Sequence, residues 1–293
     1  MPTAVTVRVP ATSANLGPGF DCLGLALDLW GSVTVAEGGP LAEGGPLDRL
    51  AFGAAKRLYA ATGREPPSGL TAHCDTAIPV ARGLGASAVA RVGGLTAANA
   101  LAGEPLDREE LLALASELEG HADNAAPALF GGFQVAVRDG DRILHTGVPL
   151  PSGLKAVLFV PDLRMPTRES RRLLPRGLSR GDAVHNIGRT ALLVAALARG
   201  RFDLLDAATQ DRLHQPARAQ LFPAMYAIFE AAKAAGAHCA YLSGGGSTIC
   251  ALATAREEAI TDAMREAARS REVAGRTLIT QPTEQGAEVV ETR

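Results

Sequence analysis

A chain of 293 residues with 47% hydrophobic and 20% charged side chains has the make-up of a globular protein, long enough for one large or two medium domains. Its net charge of −2 offers no electrostatic footprint for nucleic acid or an anionic membrane, and 4% aromatics leave little for single-strand stacking. No apolar run reaches membrane-spanning length, and Met1 to Arg8 lack the basic-then-apolar plan of a signal peptide, so the cytoplasm is the expected compartment.

In chain order, residues 3–9 alternate apolar and polar side chains and predict a strand. Residues 10–20 read as a polar loop punctuated by Gly and Pro. Strands follow at 23–29 and 33–36, then a Gly/Pro turn from Gly38 to Pro46. Between Asp48 and Thr62, Leu50, Ala54, Leu58 and Ala61 fall on one helical face, with Gly63 at the stop position. A strand near 70–74 leads to the loop Pro79-Val80-Ala81-Arg82-Gly83-Leu84-Gly85-Ala86-Ser87-Ala88, from which an alanine-rich helix runs to about Leu101. Asp107-Arg108-Glu109-Glu110 is a capping-box start for a helix with Leu111, Leu114, Ala115 and Leu118 as its buried stripe, ending at Glu119-Gly120.

After a strand at 133–137, the Pro/Ser/Gly cluster at 149–153 marks the boundary between domains 1–150 and 151–293. The second half predicts a strand at 155–160, helices at 182–199 and 224–235, and a strand at 239–242 opening onto a glycine loop, Ser243 to Ser247. A strand at 249–253 and a helix at 255–271 follow. Strand and helix mix without strict βαβ alternation, which argues an α+β class in two halves. Cys22, Cys74, Cys239 and Cys250 lie in apolar or alternating stretches with no C-x-x-C pair and no His at zinc spacing, which predicts free thiols.

The Pro79–Ala88 loop has the properties of a phosphate cradle: glycines let amides approach an anion, and the following helix adds its unpaired N–H groups and the positive end of its dipole. No Lys follows the glycines, so it is not a P-loop. Gly83-x-Gly85-x-x-Ala88 also satisfies the dinucleotide fingerprint, but helix rather than strand fills the residues before the acids Glu104 and Asp107, which disfavours that reading. A helix start with glycines for tight packing is the remaining alternative.

Glu119 opposes the dipole of its own helix, which a neighbouring cation would relieve, and a lone Glu with a loop Ser suffices for Mg²⁺ alongside phosphates. A solvated helix end followed by a polar turn at His121, Asp123 and Asn124 is the bland alternative. Asn15 and Asp21 suit turns, and Arg171 and Arg218 suit either carboxylate recognition or plain solvation. No Ser lies in a G-x-S-x-G elbow.

Together these segments resemble the GHMP kinases, and among them the homoserine kinases. Four blocks carry the resemblance: residues 9–24 (Val9-Pro-Ala-Thr-Ser-Ala-Asn15-Leu-Gly-Pro-Gly-Phe-Asp21-Cys-Leu-Gly24), the glycine loop, residues 119–132 (Glu119-Gly-His121-Ala-Asp123-Asn124 through Gly131-Gly132), and residues 240–248 around Ser243-Gly-Gly245-Gly246-Ser247. Shorter matches surround Arg171, Asn186 and Arg218.

The resemblance implies an N-terminal domain like that of ribosomal protein S5 and a ferredoxin-like C-terminal domain. It implies ATP with its phosphates on the Pro79–Ala88 loop, Mg²⁺ on Ser87 and Glu119, and L-homoserine as substrate. Asp21 would take the ammonium and Arg171 and Arg218 the carboxylate. Asn15, His121, Asp123 and Gly245 would complete the substrate pocket, and His121, Glu119 and Asn124 would serve catalysis. Asn124 stands where many relatives carry a catalytic Asp, so transfer without a dedicated base is implied. A homodimer is implied as well.

Three segments depart from the usual pattern: Ala86 in place of Ser, Gly244-Gly245-Gly246-Ser247 in place of Gly-Ala-Gly-Pro, and Ala122 in place of Pro. The alternatives are a kinase for another small alcohol and a catalytically silent sensor of nucleotide and amino acid, the latter motivated by Ala86 alone.

Overall fold

The computed structural model describes residues 2–38 and 44–293. Most of the turn expected from Gly38 to Pro46 therefore lies outside the described residues.

Two long antiparallel strands, β1 (Ala4–Ala14) and β2 (Leu23–Ala36), form the spine of the first sheet. The expected loop at 10–20 begins only after Ala14. Every residue from Val9 to Ala14 is buried, so the alternation that betrays a half-buried strand is absent there. A register shift between Pro10 and Ala11 accommodates the proline. The expected strands 23–29 and 33–36 are likewise one strand.

β3 (Thr71–Thr76) and β4 (Phe133–Asp139) pair with opposite ends of β2, and β5 (Arg142–Val148) forms a hairpin with β4. Over this sheet lie α1 (Pro46–Ala61), α2 (Ala86–Leu101), α3 (Arg108–Glu119) and the short α4 (Ala125–Phe130). α3 starts on a true capping box: Asp107 Oδ1 accepts from the Glu110 N–H at 2.8 Å, and Glu110 Oε2 accepts from the Asp107 N–H at 2.8 Å.

The second sheet has the order β7 (Cys239–Leu242), β8 (Ile249–Ala253), β6 (Lys155–Pro161), β9 (Gly275–Thr280). One face packs Val157 and Phe159 of β6 against Ile228 of α9 (Met225–Ala235) and Ile260 and Met264 of α10 (Glu257–Arg269). The other face packs Ala156, Leu158 and Val160 into the cluster that also holds the N-terminal core and Leu193 of α6 (Arg180–Ala198). The two halves thus share one core. Short helices α5 (Thr167–Arg172), α7 (Leu205–Ala208) and α8 (Gln215–Arg218) connect the elements between β6 and α9.

The last strand, β10 (Glu288–Thr292), leaves the second half and pairs with β1 in the first sheet, although the expected 151–293 domain contains it. Among the described residues, no helix is long and apolar enough to cross a membrane. All four cysteines are free thiols.

Candidate active site

The cleft opens at the start of α2. Gly85, its N-cap, has φ +69° and no side-chain cap, so the N–H groups of Ala86, Ser87 and Ala88 lack intrahelical acceptors. Gly83 (φ +75°) lies so close to the second glycine loop that a Cβ there would sit 2.0 Å from the Ser243 carbonyl oxygen. Hydrogen bonds bind the two loops together. Ser243 Oγ donates to Gly83 O (2.6 Å) and the Thr248 N–H to Arg82 O (3.0 Å), while the Gly244 N–H ties the second loop to the end of β1 at Ala14 O (2.9 Å). The side chain of Arg82 is spent on structure, donating to Pro161 O and Asp162 O at 2.7 Å each.

In the first turn of α2, Ser87 Oγ donates to Glu119 Oε2 at 3.1 Å. Glu119 sits at the end of α3 with its side chain only 6% exposed. Its Oε1 accepts no hydrogen bond, and the nearest cation is Arg91, whose Nη1 lies 2.6 Å away off the hydrogen-bond line. Arg91 is not among the residues expected from the sequence, although its place four residues after Ser87 puts both on one face of α2.

The other wall gathers the polar residues of the turn after α3. Asp123 Oδ1 contacts His121 Nδ1 (2.5 Å) and accepts from Asn124 Nδ2 (3.1 Å), while Thr12 Oγ1 donates to Asn124 Oδ1 (2.8 Å). Thr12 thereby fixes which way the Asn124 amide faces. Burial opposes a charge on His121, but the hydrogen bond and charge of Asp123 outweigh it and raise its pKa. Asn15 (φ +69°) donates from Nδ2 to Gly244 O (2.9 Å) and accepts the Asp21 N–H (3.0 Å), joining the first loop to the second glycine loop.

Asp21 and Arg171 form a bidentate pair at 2.9 and 2.5 Å, so the two groups expected to grip opposite ends of a zwitterion grip each other. Arg171 and Arg218 both lie over the Phe20 ring, at 5.2 and 5.5 Å from its centroid.

Arg218 is enclosed, 1% exposed, and donates from Nη1 to His214 Nδ1 (2.8 Å) and Gly244 O (2.9 Å). Burial, helped by the like charge of Arg171, lowers its pKa to about 10, which leaves it charged at neutral pH. His214 donates from Nε2 to Gly17 O at 2.7 Å, and burial pushes its pKa down to about 4, so it is neutral and Nδ1 is free to accept. Asp211 holds this turn by accepting the N–H groups of Leu213, His214 and Gln215. Thr12, Phe20, Asp211 and His214 lie outside the set of residues expected from the sequence. The available signal was the i, i+4 spacing of His214 and Arg218.

One cavity of about 260 Å³ opens here, and Thr12, Phe20, Arg91, Asp211 and His214 are not among its lining residues. The expected residues Pro79 to Ser87, Asn15, Asp21, Glu119, His121, Asp123, Asn124, Arg171, Arg218 and Gly245 all line it. Ala88 does not: its side chain is fully buried in the core, because the third helical position turns inward, and it keeps only its N–H at the cleft. Ala86 is 5% exposed and belongs to the same core, with a methyl group where the usual pattern has a hydroxyl. Asp21, His121 and Asp123 place ligand atoms within 4.8 Å of one another, but Arg171 already engages this cluster.

Residues 49–132 match the N terminal domain of the GHMP kinases and residues 193–270 their C terminal domain. The homoserine kinase of Moorella thermoacetica is 44% identical over 89% of this chain and 91% of its own. That of Symbiobacterium thermophilum is 50% identical over 75% of this chain and 74% of its own. The crystal structure of homoserine kinase from Cytophaga hutchinsonii superposes with a TM-score of 0.86 at 30% identity, covering 99% of this chain and 98% of that one.

Proposed function

Because the chain belongs to the homoserine kinases of the GHMP kinase family, we propose that this cleft transfers the γ-phosphoryl group of ATP to the side-chain hydroxyl of L-homoserine. The products are O-phospho-L-homoserine and ADP, on the route to threonine. The observation that carries the reading is one cavity with a free helix N-terminus and Glu119 on one side and Asp21, Arg171 and Arg218 on the other.

The phosphates lie against the open amides of Ala86, Ser87 and Ala88, where the helix dipole favours anions. Ser87 and Glu119 fit a hard cation. Both offer oxygen, and Glu119 Oε1 is a buried carboxylate oxygen with no hydrogen bond. A Mg²⁺ ion held by these two residues would supply charge neutralisation to the phosphoryl oxygens. Homoserine enters as a zwitterion and replaces each member of the Asp21–Arg171 pair for the other: its ammonium takes Asp21 and its carboxylate takes Arg171 and Arg218. Each charge-assisted bond lost is matched by one gained. Asn15, Asp123, His121 and Gly245 complete the wall of the substrate pocket.

Asn124 orients the hydroxyl and cannot take its proton. A loose phosphoryl-transfer transition state needs no strong base, because positioning and charge neutralisation do most of the catalysis. The hydroxyl oxygen forms its bond to the γ-phosphorus as the bond to the β-phosphate oxygen breaks. The hydroxyl proton passes late to an oxygen of the transferred group. The enzyme reads as a homodimer, checked by light scattering, and its four unpaired thiols suit a reducing compartment such as the cytoplasm. Incubation with ATP, Mg²⁺ and L-homoserine, followed by phosphorus NMR, is the direct test. ADP release with a new phosphomonoester is expected, and no ADP above background would sink the reading.

A further inference from the structure

We infer that Arg91 is a built-in counter-ion that occupies the charge of Glu119 in the ligand-free enzyme and competes with the divalent cation for it. The inference rests on the proposed role of Glu119 as a metal ligand. Glu119 is poorly placed for a lone charge: its side chain is 6% exposed, and it ends a helix whose dipole repels a carboxylate. Ser87 supplies one neutral hydrogen bond to Oε2, which leaves Oε1 unsatisfied. The cation that offsets this lies on the same face of α2 as Ser87, 2.6 Å from Oε1 but out of hydrogen-bond alignment.

That combination has a specific meaning. A close, misaligned guanidinium contributes charge without locking the oxygen into a directional bond, so the oxygen stays available to a harder ligand. Arg91 is 21% exposed at its side chain and can move aside into solvent. Its positive charge then remains near the site and weakens metal binding by plain Coulomb repulsion. The ion pair should therefore stabilise the empty cleft and lower the linkage between metal and nucleotide.

Calorimetry reads that linkage as the ratio of the Kd values of a non-hydrolysable ATP analogue in EDTA and in saturating Mg²⁺. Arg91→Gln should raise the ratio roughly fivefold, as expected for removing one partly exposed charge, while Arg91→Lys should leave it near wild type. In the ligand-free state without metal, Arg91→Gln should lower the Tm, and Arg91→Gln combined with Glu119→Gln should restore it. An unchanged or smaller ratio in Arg91→Gln, or an unchanged Tm, overturns the counter-ion role. Glu119→Gln alone separates the premise from the inference: it should collapse the ratio, and a wild-type ratio there rejects Glu119 as a metal ligand.

Discussion

Arg218 is a cation enclosed by the protein, with Nη1 committed to His214 and Gly244 and the rest of its fork near the Asp21–Arg171 pair. On its proposed role at the substrate carboxylate, removing it should cost one or two charged hydrogen bonds, about 1.5–3 kcal/mol, or roughly 10- to 100-fold in KM for homoserine. Steady-state kinetics of Arg218→Ala should show that rise with the KM for ATP unchanged; a shift in the ATP value instead would reject the assignment.

His214 makes a second prediction. The unfolded chain binds a proton at this residue below about pH 6.5, whereas the folded protein holds it neutral until about pH 4. The unfolded state thus takes up more protons in that window, so this residue's contribution to stability falls as pH drops from about 6.5 to about 4 and is complete above it. His121 works in the opposite sense, since its raised pKa favours folding in acid and that gain is lost as pH rises through it. Urea unfolding at pH 7 and pH 5 should therefore show a smaller acid loss in His214→Gln than in wild type. An equal loss would mean that His214 does not carry the effect.

At the scale of elements, the two glycine loops act as one piece. Gly83→Ala would drive a Cβ into the Ser243 carbonyl at a backbone angle that L-residues resist. It should cost about 1–3 kcal/mol of stability and raise the KM for ATP at least several-fold, read by denaturation and kinetics. Wild-type stability would show that the loops are not locked. This contact also marks the limit of what could be read from sequence. The glycine spacing and Glu119 point to phosphate and metal chemistry because those residue types are unusual where they stand. The partners Thr12, Arg91 and His214 are ordinary residues whose importance comes from being brought together.

The same holds for the elements themselves. α1, α3, α6, α9 and α10 announce themselves by a one-sided apolar stripe and by caps such as Asp107–Glu110, whereas α2, buried on most of its faces, shows itself by its alanine-rich run after the glycine loop. The end of β1 is buried throughout and β10 is exposed throughout, so neither alternates. The Asp21–Arg171 pair shows a different gap: each side chain was legible as a charge, but their engagement across 150 residues of chain is a product of tertiary structure.

For the whole molecule, β10 decides how the two halves hold together. Its ladder to β1 is reinforced upstream, where the Gly132 N–H donates to Thr283 O and the Thr283 N–H to Ala26 O, and Ala287 is buried. A chain ending at Gln281 should lose at least about 5 °C in Tm although the whole cleft remains encoded. Calorimetry returning the wild-type Tm would show that the strand is dispensable. The same pairing lays Thr3 and Arg293 side by side, with the Thr3 N–H donating to Arg293 O at 2.7 Å and the Arg293 N–H to Ala4 O at 3.0 Å. A few glycines could join these residues into a continuous ring, which could be reopened at the exposed turn around Gly140, where even an added Cβ would meet nothing. The order in which the polypeptide is written would change while every wall of the cleft stayed in place, and such a circular permutant should phosphorylate homoserine at the parent rate.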